Sequence, residues 1–183
     1  MLKNGTIRVE NGTDLLLTLL YAGGNRKAEN EEIVGNTRLV KLLFVLTHET
    51  SLKKYGTDFK YNPYNFGPFS SELYDALQAL INAGLIKATT SDSEGFLDEA
   101  DRFQGENESD ESDSAKNTII YSLTSEGMVV GSALFNSLSE EEKKEVSMIK
   151  RLFNSTTLRK LLQYVYRKYP QYTTKSVIKE YVY

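Results

Sequence analysis

Eight basic side chains and no acidic one fall within residues 146–179: Lys150, Arg151, Arg159, Lys160, Arg167, Lys168, Lys175 and Lys179. Arg159, Gln163 and Arg167 recur at i, i+4 and i+8, with Lys160 and Lys168 beside them and Tyr164, Tyr169 and Tyr172 interleaved. On a helix this spacing gathers cations opposite a stripe of Leu158, Leu161, Leu162 and Val165. Such a face suits a phosphate backbone or an acidic partner surface. A solvated helix face that needs no partner has the same pattern.

Residues 69–83 have the opposite character. Ser71, Glu72, Asp75, Gln78 and Asn82 share the polar face of a helical pattern that contains no Lys or Arg. Set into a major groove, Gln78 and Asn82 would read adenine. Glu72 and Asp75 would face phosphates unfavourably, so basic support falls to Arg38 and Lys41 on the preceding helix and to Lys53, Lys54 and Lys60. Residues 92–113 hold ten of the 25 acidic side chains and one of the 22 basic ones, a net of −9. The remainder carries 21 basic and 15 acidic side chains, so a formal charge of −3 hides a basic body with an acidic insert. That insert suits a basic partner or shields a basic face; most such runs are simply solvated.

Other chemistries lack their components. With no Cys there are no disulfides or thiolate metal sites, and one His, His48 beside Glu49, makes no metal cluster. No glycine pattern cradles phosphate and no Gly-x-Ser-x-Gly occurs. The expectation is a non-enzymatic protein with no cofactor and no metal. The strongest apolar run, 15–20, is short and follows Glu10 and Asp14, where a signal peptide carries positive charge. We expect a cytoplasmic protein with no membrane span.

The elements that position these groups follow from periodicity. Asp14 caps a first helix, apolar all round and ending at Gly23 and Gly24. Leu39, Leu42, Leu43 and Leu46 mark an amphipathic second helix from Asn36, with Arg38 and Lys41 off its apolar stripe. The connector 51–69 carries Pro63, Pro68 and the aromatic residues Tyr55, Phe59, Tyr61, Tyr64 and Phe66, with Phe69 at its end, too many rings for a solvated loop. Ser70 or Ser71 opens a third helix, stopped by Gly84. Strands at 85–90 and 118–123 flank residues 91–117, whose tip from 104 to 117 is expected to be mobile. Thr124 caps a further helix, Ser139 and Glu142 form a capping box for another, and Pro170 ends the last long one at 158–169.

Gly35-Asn-Thr-Arg-Leu-Val-Lys-Leu-Leu-Phe, then Tyr61-Asn-Pro-Tyr-Asn-Phe-Gly-Pro-Phe-Ser with Glu72-Leu-Tyr-Asp, the Ala-Gly-Leu-Ile ending at Ile86, and Tyr121-Ser-Leu-Thr-Ser-Glu-Gly together carry a resemblance over residues 13–135. The chain resembles the YwgA-like proteins and their relatives, the SocA-like Panacea-domain antitoxins. The resemblance implies a prokaryotic winged-helix protein of toxin–antitoxin or mobile-element contexts, without established catalytic residues. It gives the aromatic turn a structural role: Gly67 and Pro68 set the entry of the third helix, while Phe66 and Phe69 plug the core. A groove beside Tyr61, Tyr64 and Tyr74 competes with core packing for the remaining rings.

The expected fold is α+β and mostly helical, a winged helix-turn-helix with a two-stranded wing in residues 1–135, an acidic wing insert at 92–117, and a helical C-terminal extension at 136–183. The expected function is a DNA-binding transcriptional regulator using Arg38, Lys41, Lys53, Lys54, Lys60, Gln78, Asn82, Arg159, Lys160, Arg167 and Lys168. The alternative is an antitoxin-like module that occupies a partner protein's basic site. A homodimer through the C-terminal helices serves either.

Overall fold

The computed structural model describes residues 7–26, 28–91 and 118–183. The acidic insert and its expected mobile tip lie outside the described residues. The chain is α+β and mostly helical, with two small antiparallel sheets. Helix α1 (Gly12–Tyr21) runs through the middle, with Leu15, Leu16, Leu19 and Leu20 fully buried. Its cap is Asn11 and not Asp14: the extended Asn11 backbone lets its side chain accept from Asp14 N at 3.0 Å, while Asp14 accepts from Glu10 N.

Strand β1 (Ile33–Val34) precedes helix α2 (Asn36–Glu49), and a one-turn 3-10 helix (Ser51–Lys54) follows. The connector then folds into a hairpin of β2 (Asn62–Tyr64) and β3 (Gly67–Phe69). Helix α3 (Ser71–Asn82) begins at Ser70, whose hydroxyl accepts from Leu73 N at 3.3 Å, and Gly84 at φ +72° turns the chain out of it. Strands β4 (Ile86–Ser91) and β5 (Thr118–Leu123) pair from Ile86↔Leu123 to Ser91↔Thr118. The other edge of β5 takes β1, with Ile33 opposite Tyr121, so the sheet order is β1-β5-β4.

Thr124 caps helix α4 (Ser125–Ser137), and the Ser139–Glu142 capping box opens α5 (Glu140–Asn154). Helix α6 (Leu158–Lys168), a 3-10 turn (Pro170–Thr173) and the short α7 (Lys179–Val182) complete the described chain. Leu161, Leu162, Val165 and Tyr166 of α6 belong to the same buried cluster as α1 and α2. Residues 136–183 therefore share the core of residues 1–135 and do not form a second one. Among the described residues no helix is long and apolar enough to cross a membrane.

Candidate functional site

Helix α2 is buried on nearly every side, because α5, α6 and the β2–β3 hairpin cover the flank opposite its leucine stripe. That packing engages two side chains expected to contact phosphate. Arg38 Nη1 donates to Phe153 O and Thr156 O, both at 2.7 Å, and thereby holds carbonyls at the C-terminal end of α5 that no helical N–H reaches. Lys41 is 3% exposed, and its Nζ donates to Pro68 O at 3.0 Å. Burial lowers the Lys41 pKa to about 7. Lys41 is thus buried, while Arg38 is half-exposed with its guanidinium held by backbone carbonyls.

The other expected binding residues divide. Lys53 and Lys60 are exposed; Lys54, also exposed, pairs with Glu142 at 2.8 Å. Gln78 and Asn82 are exposed on α3 and hydrogen-bonded to each other at 3.0 Å. On α6, Lys160 and Arg167 are exposed, Arg159 lies over the Tyr181 ring at 4.9 Å, and Lys168 donates to Glu49 Oε2 at 2.6 Å. Glu49 also accepts from Tyr164 at 2.5 Å and Tyr169 at 3.0 Å. Burial alone would raise the Glu49 carboxyl, but these three donors outweigh it and hold the group below the usual carboxylate range. Lys150, counted in the basic segment, is wholly buried: its Nζ donates to Leu20 O at 2.8 Å. Burial takes it to about 7 against the opposing charge of Glu31.

A pocket of about 340 Å³ opens where α2, the hairpin and the start of α3 meet. Helix α2 supplies Thr37, Val40 and Lys41 to it, and α3 supplies Ser71, Tyr74 and Asp75. Tyr64, Phe69 and Tyr74 form a chain of rings, with centroids 4.8 and then 5.1 Å apart. Phe69 thus lines the pocket and does not plug the core as expected; Phe66 lines it too while packing partly against the core. Gly67 closes the turn at φ +88°, and a Cβ there would stand 2.8 Å from Tyr166 Cε1 on α6. No bulkier residue fits without displacing that ring.

Of the three rings expected beside a groove, Tyr64 and Tyr74 line the pocket and Tyr61 does not. Tyr61 instead joins Phe44, His48, Tyr169 and Tyr172, with the Phe44 centroid 4.9–5.1 Å from the three tyrosines. His48 stacks on Phe44 at 4.0 Å, its Nδ1 is 2.8 Å from Phe44 O, and burial lowers its pKa. The ring packs against its neighbours. The sequence signal for the pocket was the aromatic turn itself; the burial of Lys41 had no local signal, since the hairpin residues Gly67 and Pro68 are brought to it by tertiary packing.

No protein-family model, curated protein or solved structure matches the chain.

Proposed function

We propose that the chain is a non-enzymatic regulatory module on a winged helix-turn-helix, which occupies a basic surface of a partner protein through α3 and the acidic 92–117 segment. The order α1, β1, α2, α3, β4, β5, with the β2–β3 hairpin inserted between α2 and α3, and a β1-β5-β4 sheet supports the winged-helix reading by fold-level analogy. One observation carries the partner reading. The exposed α3 face offers Ser71, Asp75, Gln78 and Asn82 without a cation, while Arg38 and Lys41 are engaged inside the protein. A groove-reading helix that carries no cation of its own faces phosphate repulsion from Asp75 and Glu72, with Lys60 beside Glu72 offsetting part of it.

A DNA-binding reading has its own support in the exposed Arg151, Lys160, Arg167, Lys175 and Lys179. Mobility shift of random duplex DNA over a salt series separates the two, using the intact chain and one lacking residues 104–117. The protein-partner reading expects no shift from either chain at low salt. A shift whose log affinity falls with log salt overturns it. Crosslinking in the native cell extract, read by mass spectrometry, supplies the positive arm: Asp75→Lys must abolish crosslinks made through α3.

A further inference from the structure

Thr37 is 5% exposed, lines the α2–hairpin–α3 pocket, and its hydroxyl makes no hydrogen bond among the described residues. Beside it on the next turn lies Lys41, whose Nζ has one acceptor among the described residues, the Pro68 carbonyl. A protonated lysine carries three donors, so the amine has capacity beyond that single bond. The Thr37 hydroxyl and the remaining donor capacity of Lys41 thus sit one turn apart on the same cavity wall, where an occupant with acceptor atoms can take both. The facing wall is apolar and flat-sided: Tyr64, Phe69 and Tyr74 contact one another along it. Few polar groups converging beside aromatic surface are the makings of a small-molecule site, and the volume lies at the small end of that class.

We propose that this pocket binds a small aromatic carboxylate, its ring against Tyr64, Phe69 and Tyr74 and its carboxylate accepting from Lys41 Nζ and the Thr37 hydroxyl. The carboxylate supplies the countercharge that the amine lacks in the free protein. Asp75, the other charged group lining the pocket, is exposed on α3, and it disfavours a dianion such as a phosphate monoester while tolerating a monoanion. Because burial holds Lys41 at about 7, binding above neutral pH draws a proton onto the amine, which then pairs with the carboxylate. The pocket joins α2 to the start of α3, so occupancy bears on the helix that carries the proposed docking face.

The site stands apart from the partner reading, because its test uses no macromolecule. Benzoate is titrated into the full chain by calorimetry at about pH 8 in buffers of differing ionisation enthalpy, with benzamide as the uncharged control. The expected results are saturable benzoate binding with net proton uptake, benzamide at least about tenfold weaker, and loss of uptake with Lys41→Met. Thr37→Val, which removes one hydroxyl and keeps the shape, weakens benzoate about fivefold to tenfold without abolishing uptake. It keeps the test decisive if Lys41→Met does not fold. No saturable binding overturns the proposal. So does binding that Thr37→Val leaves unchanged, or benzamide binding as tightly as benzoate.

Discussion

Lys150 on α5 reaches across the core to the last turn of α1, where its Nζ donates to Leu20 O at 2.8 Å. The carbonyl is one of those that α1 leaves without a helical partner, and a cation is favoured at that end of the helix dipole. The ammonium is nonetheless out of water, and its pKa falls from 10.5 to about 7.

That depression sets a pH dependence. Between about 7 and 10.5 the unfolded chain holds a proton on Lys150 that the folded chain has released, so stability rises with pH through that window. Below it, the full penalty of burying the charge is present. Lys150→Met removes the penalty, raises the midpoint of thermal unfolding most below neutral pH, by about 1–4 kcal/mol in stability, and flattens the rise. Lys41 contributes in the same direction, so part of the slope survives. An unchanged slope in Lys150→Met would contradict the assignment.

Arg38 is a clamp between α2 and the end of α5. Arg38→Ala leaves Phe153 O and Thr156 O without their donor and lowers stability by about 1.5–3 kcal/mol. Urea denaturation measures the loss. Any retention of DNA by the folded protein is unchanged by this substitution, in contrast to what a phosphate contact requires.

Glu49 ties α6 and the following turn to α2 through Lys168, Tyr164 and Tyr169. Its carboxyl is depressed, so the stabilisation is present above the ordinary value of 4.5 and is lost as pH falls through the folded value. Glu49→Gln costs about 1–2 kcal/mol at neutral pH, a figure that allows for the half-exposed Lys168. The difference from the parent closes in acid. Paired denaturation curves at neutral and acid pH are the measurement.

Gly67→Ala meets both a left-handed backbone and the Tyr166 ring. A loss of about 1–3 kcal/mol is expected, and near-ultraviolet circular dichroism should report a disturbed tyrosine environment. Ala at Gly84, also left-handed but with open space around its Cβ, costs less.

The long helices were legible because their apolar spacing is local. Leu39, Leu42, Leu43 and Leu46 announced α2, and Ser139 with Glu142 announced the start of α5. Ile33 and Val34 did not announce β1, since two residues show no periodicity and their pairing with Tyr121 and Ile120 is set by distant chain. The same distance shapes the candidate site. Arg38 and Lys41 sit on the polar side of α2 by local pattern, yet Phe153, Thr156 and Pro68 are brought to them by tertiary packing. Residue types alone separated the cation-free α3 from the cation-rich C-terminal stretch, but not Lys150 in the interior from Lys160 on the surface.

The place of β5 at the centre of the β1-β5-β4 sheet joins distant parts of the chain. Ile33 and Val34 precede the acidic segment in the chain and their partners Ile120 and Tyr121 follow it, so β1 has its sheet partner only once that segment has been made. Because β1 pairs with a strand that lies beyond α2, α3 and the acidic segment in the chain, its contact with the sheet is long-range. Strand β5 therefore carries both pairings of the sheet, and substitutions that weaken it disturb β1 and β4 together.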